Sequence, residues 1–272
     1  MFLLFVPFYT DANEPEWNDA IEDNSFLIEE AYNQERGVVQ HIFNFFYYPT
    51  HPKDLFLSFT QEWPLPDERN QVSYTIPYTL QEDGTQGLND LFLNYRRQVL
   101  YEDKQGVAFA PRISLIMPSG NTQKGLGYGT VGFQINLPFS KRWTEHFVSH
   151  FNLGTTVLPN AVQQNSLGTA TLTKTLANLN AGFSTIWLAQ RRFNVLLEFV
   201  GNMGSEINDD RNVNFFGQYI INPGVRASLP IGKLEIVPGL SVPLVWTSGN
   251  FEPAMFFYLS FEHPFLKGWK IK

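Results

Sequence analysis

The chain has 272 residues, no cysteine, a formal net charge of −7 and a mean hydropathy of −0.17. Those values exclude a disulfide framework and a thiolate metal site, and the acidic balance argues against nucleic acid as a partner, because phosphate contacts need a basic face. No run approaches the roughly 18 to 20 apolar residues that a spanning helix needs, which removes helical membrane proteins but not β-barrels, whose strands are half polar.

The opening "MFLLFVPF" resembles the apolar part of a secretory signal without its basic start or a small-x-small cleavage site before Glu14, and reads as a signal remnant or an atypical start, with a native apolar anchor as the alternative. "DANEPEWNDAIEDN" is acidic and aperiodic, as in a solvated linker. In "SFLIEEAYNQERG", Ser25 as N-cap, the early acids Glu29 and Glu30, and Gly37 as a stop predict a short helix from Phe26 to Glu35. Residues 1–36 therefore form an N-terminal segment, able to fold into the mouth of whatever follows as a plug. The second unit is 37–272.

From Gly37 onward, alternating or β-rich runs recur between turn signals, from "VVQHIFNFFYY" to "EPAMFFYLSFEHPF", twelve in all. An even number suits a single-chain bacterial barrel. The connections sort by length. Those after even-numbered runs are tight, as in "EDKQG", "QRR" and "PIGK". Those after odd-numbered runs are longer, as in "SGNTQKGLGY", "PNAVQQNSLGTATLTK" and "SEINDDRNVN", although "TSGN" after the eleventh is short. Tight turns on one side and long loops on the other mark a barrel threaded through a membrane from the periplasm.

The faces of the runs agree. In "VGFQINLPF", Val131, Phe133, Ile135, Leu137 and Phe139 share one side, and Gln134 and Asn136 lie on the other. In "VAFAPRISLIM", Val107, Phe109, Ile113, Leu115 and Met117 oppose Ala108, Ala110, Arg112 and Ser114. An apolar face toward lipid and a small, polar face toward a wet lumen account for charges that a packed sandwich centre would tolerate poorly. The candidate lumen-lining residues are Glu62, Asp90, Asn94, Arg96, Arg112, Gln134, Asn136, Glu198, Arg226 and Glu235. Six prolines, Pro77, Pro111, Pro138, Pro223, Pro238 and Pro243, fall inside the runs, so bulged or shortened strands are expected there.

Three motifs invite other chemistry. "HFVSHFN" holds the residue types of an outer-membrane lipid hydrolase, but alternation puts Ser149 on the face opposite His150 and Asn152, beyond reach of a base. His146 and His150 are too far apart along a strand for one zinc, roughly 13 Å. "GNTQKGLGYG" has Leu126 where a phosphate loop needs Lys, and reads as a flexible external loop. The acid pair Glu29 and Glu30 and the run from Glu206 to Arg211 read as solvated charge.

The segments "FLIEEAYNQERGVVQHI", "FTQEWPLP", "GLNDLFLNYRRQ" and "PRISLIMPSG" make the chain similar to the bacterial outer-membrane transporter-like family named for the MetA pathway of phenol degradation. The resemblance spans Phe26 to the C-terminus, with its specific part in the first half, and implies an outer-membrane channel or transporter. The chain departs from the usual barrel ending: Phe257, Leu259 and Phe261 alternate, but "LKGWKIK" trails beyond Phe265.

The expectation is an all-β, transmembrane, antiparallel up-and-down β-barrel of about 12 strands, with a short N-terminal helical segment, in the bacterial outer membrane. Its function would be passage of small solutes, hydrophobic or aromatic ones among them. Its partners would be outer-membrane lipid, those solutes and the barrel-assembly machinery. No cofactor, metal or catalytic residue is expected. A closed structural or interaction barrel is the alternative, and a lipid hydrolase a remoter one.

Overall fold

The computed structural model describes residues 25–50, 52–164, 171–207, 213–232 and 234–265. The apolar opening, the acidic linker, the tail "LKGWKIK" and most of the charged run before Arg211 lie outside them. Twelve antiparallel strands close into a barrel. They are β1 (Val38–Tyr47), β2 (Leu55–Trp63), β3 (Asn70–Leu80), β4 in two pieces (Gln86–Leu88, Leu91–Arg97) and β5 in two (Ala108–Phe109, Arg112–Met117). Next come β6 (Gly132–Thr144), β7 (Phe147–Gln164), β8 (Thr171–Gln190), β9 (Phe193–Ile207) and β10 (Val213–Ala227, continued by Leu229–Ile231). Last are β11 (Leu234–Ser241, Leu244–Thr247) and β12 (Asn250–Pro253, Met255–Pro264). Each strand pairs with its sequence neighbours, and β1 closes on β12 from Val38↔Pro264 to Tyr47↔Met255.

The two faces invert the arrangement of a soluble protein. Phe133 and Ile135 are 52% and 45% exposed, while Asn136 on the same strand is 4% exposed and faces inward. Five phenylalanines, Phe109, Phe139, Phe151, Phe183 and Phe199, occupy one outward row across β5 to β9, directly opposite one another in register. Ring centroids in that row are 4.2 Å apart for Phe109 and Phe139 and 4.7 Å for Phe151 and Phe183. Cross-strand aromatic pairs stabilise the ladder by about 0.2–1 kcal/mol each, and their exposed rings suit hydrocarbon, not water. Inside, polar side chains bond across the ladder: Asn94 Nδ2 donates to Ser73 Oγ (3.1 Å), Gln134 Nε2 to Thr156 Oγ1 (2.9 Å) and Asn202 Nδ2 to Gln218 Oε1 (3.0 Å).

The prolines have a common arrangement. Pro111 and Pro243 sit in the gaps of β5 and β11. The other four lie in continuous strands, each beside a neighbour whose ladder skips. Pro77 faces the break at Asn89 and Asp90, and Pro138 the break at Ala110 and Pro111. Pro223 faces Val242 and Pro243, and Pro238 the break at Ser228. A residue without an N–H leaves its neighbour short of a donor, and the neighbour interrupts its own pairing there.

Two expectations change. The loops expected after β7 and β9 begin and end as strand: β7 and β8 are 18 and 20 residues long, so the hairpin continues well past the roughly 9–11 residues that cross a bilayer. Along these extensions the apolar-polar alternation that marks a strand disappears from the sequence while the ladder continues. The "EDKQG" turn contains a one-turn helix, α1 (Glu102–Gln105).

Replacing Ile135 by Arg sets a charge against hydrocarbon and lowers folding stability by about 2–4 kcal/mol, while Ile135→Val costs less than about 1.5 kcal/mol. Urea titration of folding into lipid vesicles reads both, and an unaffected Arg variant contradicts the assignment of this face to lipid.

Candidate functional site in the barrel lumen

Residues 25–36 form no helix; they enter the barrel as irregular, extended chain. The local helix signals are redirected. Ser25 Oγ bonds to Ser184 Oγ of β8 (2.7 Å) instead of capping, and Glu29 forms a bidentate pair with Arg112 of β5 (2.5 and 2.9 Å). Tertiary partners have outweighed a propensity of a few tenths of a kilocalorie per residue.

The backbone of this segment is bonded to wall side chains at nearly every second residue. Leu27 N donates to Glu198 Oε1 (2.9 Å), Glu29 N to Asn152 Oδ1 (2.9 Å) and Ala31 N to Ser140 Oγ (2.7 Å). Asn33 N donates to Gln98 Oε1 (3.1 Å) and Gln34 N to Gln71 Oε1 (2.8 Å). The carbonyls are met in turn: Asn152 Nδ2 donates to Glu29 O (2.7 Å) and Gln98 Nε2 to Ala31 O (2.7 Å). Arg96 donates through Nη1 to Glu30 O (3.1 Å), through Nη2 to Tyr32 O (2.6 Å) and through Nε to Asn33 Oδ1 (3.0 Å). Wall amides and guanidinium groups thus stand where a neighbouring strand would.

The apolar side chains of the segment fit gaps in the wall. A Cβ on Gly182 would lie 2.1 Å from Ile28 Cδ1, and Cβ atoms on Gly224 and Gly239 would lie 2.4 and 2.3 Å from the Phe26 ring. Phe26 also packs on Phe256 and Tyr258, with ring centroids 5.6 and 5.7 Å away. The lumen therefore has an apolar floor, with Ile42, Ile186, Leu188 and Leu196 beside Phe26.

Most of the predicted wall residues meet around this segment. Glu62 lies 4.0 Å from Arg96 and accepts from Gln71 Nε2 (2.5 Å). Asn94 and Gln134 both accept from Arg112, at 3.0 and 2.9 Å, and Asn136 Nδ2 donates to Asn152 Oδ1 (3.1 Å). Glu198 also accepts from Asn222 Nδ2 (2.6 Å), and Arg226, 2% exposed, acts electrostatically on both Glu198 and His150. Two predicted residues stand apart. Glu235 accepts from Ser228 Oγ (2.5 Å) in the β10–β11 hairpin, and Asp90 accepts two loop amides at the outer rim. Sequence reasoning missed Gln71, Gln98, Ser140 and Ser184, although Gln71 already shared the inward parity of Ser73 in its run.

Two chambers in the lumen are lined by described residues. One, of about 310 Å³, is bounded by Phe26 to Glu29, Thr60, Glu62, Asn94, Arg96 and Arg112. The other, of about 410 Å³, lies toward the outer rim and is lined by Phe92, Ile116, Leu126, Leu158, Leu176 and Phe216 together with Asp90 and Asn178. Phe92 and Gln134 line both, which makes their side chains the shared boundary. The apolar lining of the outer chamber departs from the small, polar inner face expected from alternation.

The hydrolase and metal motifs assemble no site. Ser149 stands opposite Lys141 and Thr185, while His150 points inward and bonds through Nδ1 to Ser140 Oγ (2.6 Å), whose oxygen also accepts Ala31 N. Among the described residues no group of three or more His, Asp or Glu is placed to hold a metal ion.

No protein-family model and no curated protein matches the sequence. Among solved structures, the chain is similar to an outer membrane channel from Pseudomonas putida F1, at a TM-score of 0.64 and 11% identity over 89% of this chain and 99% of the other. The NanC porin matches at a TM-score of 0.49 and 5% identity, over 82% and 98% of the two chains. At these identities the likeness is one of fold, that of bacterial outer-membrane barrels. The outward aromatic row and inward polar network place this chain in the same membrane.

Removing one partner of a hydrogen-bonded charge pair costs about 1.5–3 kcal/mol. A double-mutant cycle of Glu29→Ala and Arg112→Ala on the folded barrel should return a coupling of that order; additive effects would show that the segment does not dock through this pair.

Proposed function

We propose that the barrel passes small solutes across the outer membrane, that hydrophobic or aromatic molecules are among them, and that residues 25–36 act as its plug. The observation that carries the proposal is the pair of chambers sharing Phe92 and Gln134. Chambers of about 310 and 410 Å³ are the size of small-molecule sites, and the outer one offers apolar and aromatic walls. The resemblance to the transporter-like family named for phenol degradation supports the same reading, as does the fold shared with the Pseudomonas channel.

Twelve strands stand between the eight that side chains fill and the sixteen that leave a free aqueous pore. An inserted segment is the means by which a barrel of this width holds back ions while keeping a path for a solute that displaces or skirts it. The dense bonding of the segment favours a second reading, a permanently closed structural barrel, and the two make opposite forecasts.

Deleting residues 12–35 raises single-channel conductance in planar bilayers, and small aromatic solutes block the resulting steps. Unchanged conductance in a deletion that keeps folded-barrel gel mobility contradicts the plug and leaves the closed barrel.

A further inference from the structure

The loop between β5 and β6 is a compact unit folded in over the outer chamber, unlike the loose external loop its Gly-rich sequence suggests. Asn121 caps the short turn Thr122–Lys124 through the amides of Gln123 and Lys124, and Gly125 follows in the left-handed region at φ 69°. Leu126 is then turned into the barrel, 2% exposed, as part of the lining of the outer chamber.

One carboxylate pinches the neck of this loop. Asp90 Oδ1 accepts from Gly120 N (2.9 Å) and Oδ2 from Tyr128 N (2.8 Å), so its two oxygens bridge the residues that flank the Leu126 turn. The crossing is close: a Cβ on Gly120 would lie 2.0 Å from Leu126 O, and one on Gly127 2.5 Å from Asp90 Oδ1. Asp90 sits in the break of β4 opposite Pro77, so its own backbone is outside the ladder. Leu91 N to Ser119 Oγ (2.9 Å), Ser119 Oγ to Asn89 O (3.1 Å), Val162 N to Tyr128 O (2.7 Å) and Thr130 Oγ1 to Pro159 O (2.5 Å) fix the stems to the wall, and Leu126 N to Asn121 O (3.0 Å) closes the turn above the neck; Asp90 is what bridges Gly120 and Tyr128.

We propose that Asp90 is the positioning residue of an outer gate, holding the loop closed so that Leu126 seals the outer chamber from the external side. This rests on the reading of the barrel as a solute path; the gate opens and closes on its own, so the plug remains the block that conductance reads, and Leu126 governs access to the outer chamber from outside. The carboxylate suits the task because two amides converge on it from two stems, and one acceptor with two oxygens holds both.

The chain has no cysteine, so a single thiol reports access cleanly. Leu126→Cys on intact cells is titrated with a membrane-impermeant maleimide in three backgrounds: otherwise wild type, Asp90→Ala and Gly120→Ala. The exposed Lys124→Cys serves as reference. Labelling at position 126 is expected to be slow in the wild-type background and about tenfold faster or more in the other two, as the open population grows when hydrogen bonds to a charged acceptor are lost. Position 124 reacts equally in all. An unchanged rate at position 126 in Asp90→Ala and Gly120→Ala barrels that retain folded gel mobility overturns the gate. The assay reads access and not flux, so it fails or succeeds independently of whether the barrel conducts.

Discussion

A stretch of irregular backbone inside a barrel has no ladder to join, and each buried amide or carbonyl left unpaired there costs roughly 1–3 kcal/mol. Residues 25–36 meet that constraint through side chains of the wall, in an order that follows the extended chain: Glu198, Asn152, Ser140, Gln98 and Gln71 receive its amides. Arg96 and Gln98 fill carbonyls on the same stretch. The polarity of the lumen is therefore structural before it is functional. Much of what looks like a hydrated pore lining is the binding surface for the chain's own N-terminal segment.

Other features follow from this dependence. Glycines at 182, 224 and 239 keep the wall low where Ile28 and Phe26 rest. Charge is balanced between segment and wall, with Glu29 on Arg112 and the carbonyls of Glu30 and Tyr32 on Arg96. Outside, the wall is apolar and aromatic, because lipid offers nothing to a polar group. The barrel is thus solvated by hydrocarbon on one face and by its own polypeptide on part of the other.

The sequence made the barrel legible because period-two alternation with opposite chemistries on the two faces is a strong signal wherever lipid is on one side, as in Phe133 to Phe139. It was weaker where both faces changed character. Ile186 and Leu188 are apolar and inward, flanking the outward Trp187, so alternation is lost where the wall touches Phe26. In the upper halves of β7 and β8 the inner face turns apolar as well, at Leu158, Ala161 and Leu176, so the opposite chemistries of the two faces are lost there too. The N-terminal segment was misread for a different reason: Ser25, Glu29 and Gly37 carry local helix signals, and the partners that override them, Ser184 and Arg112, lie 159 and 83 residues away. Leu126 was hidden likewise in a Gly-rich loop whose inward turn depends on Asp90.

The seating of the segment is tested most directly at its innermost described contact. Ser25 and Ser184 meet Oγ to Oγ at 2.7 Å in a chain without cysteine. The double variant Ser25→Cys, Ser184→Cys should form an intramolecular disulfide nearly quantitatively in native outer membranes under mild oxidation, whereas pairing Ser25→Cys with an outward position such as Thr185→Cys should not. Two free, readily alkylated thiols in a folded Ser25→Cys, Ser184→Cys barrel would mean that the segment lies outside the lumen and that the wall's polar network serves something else.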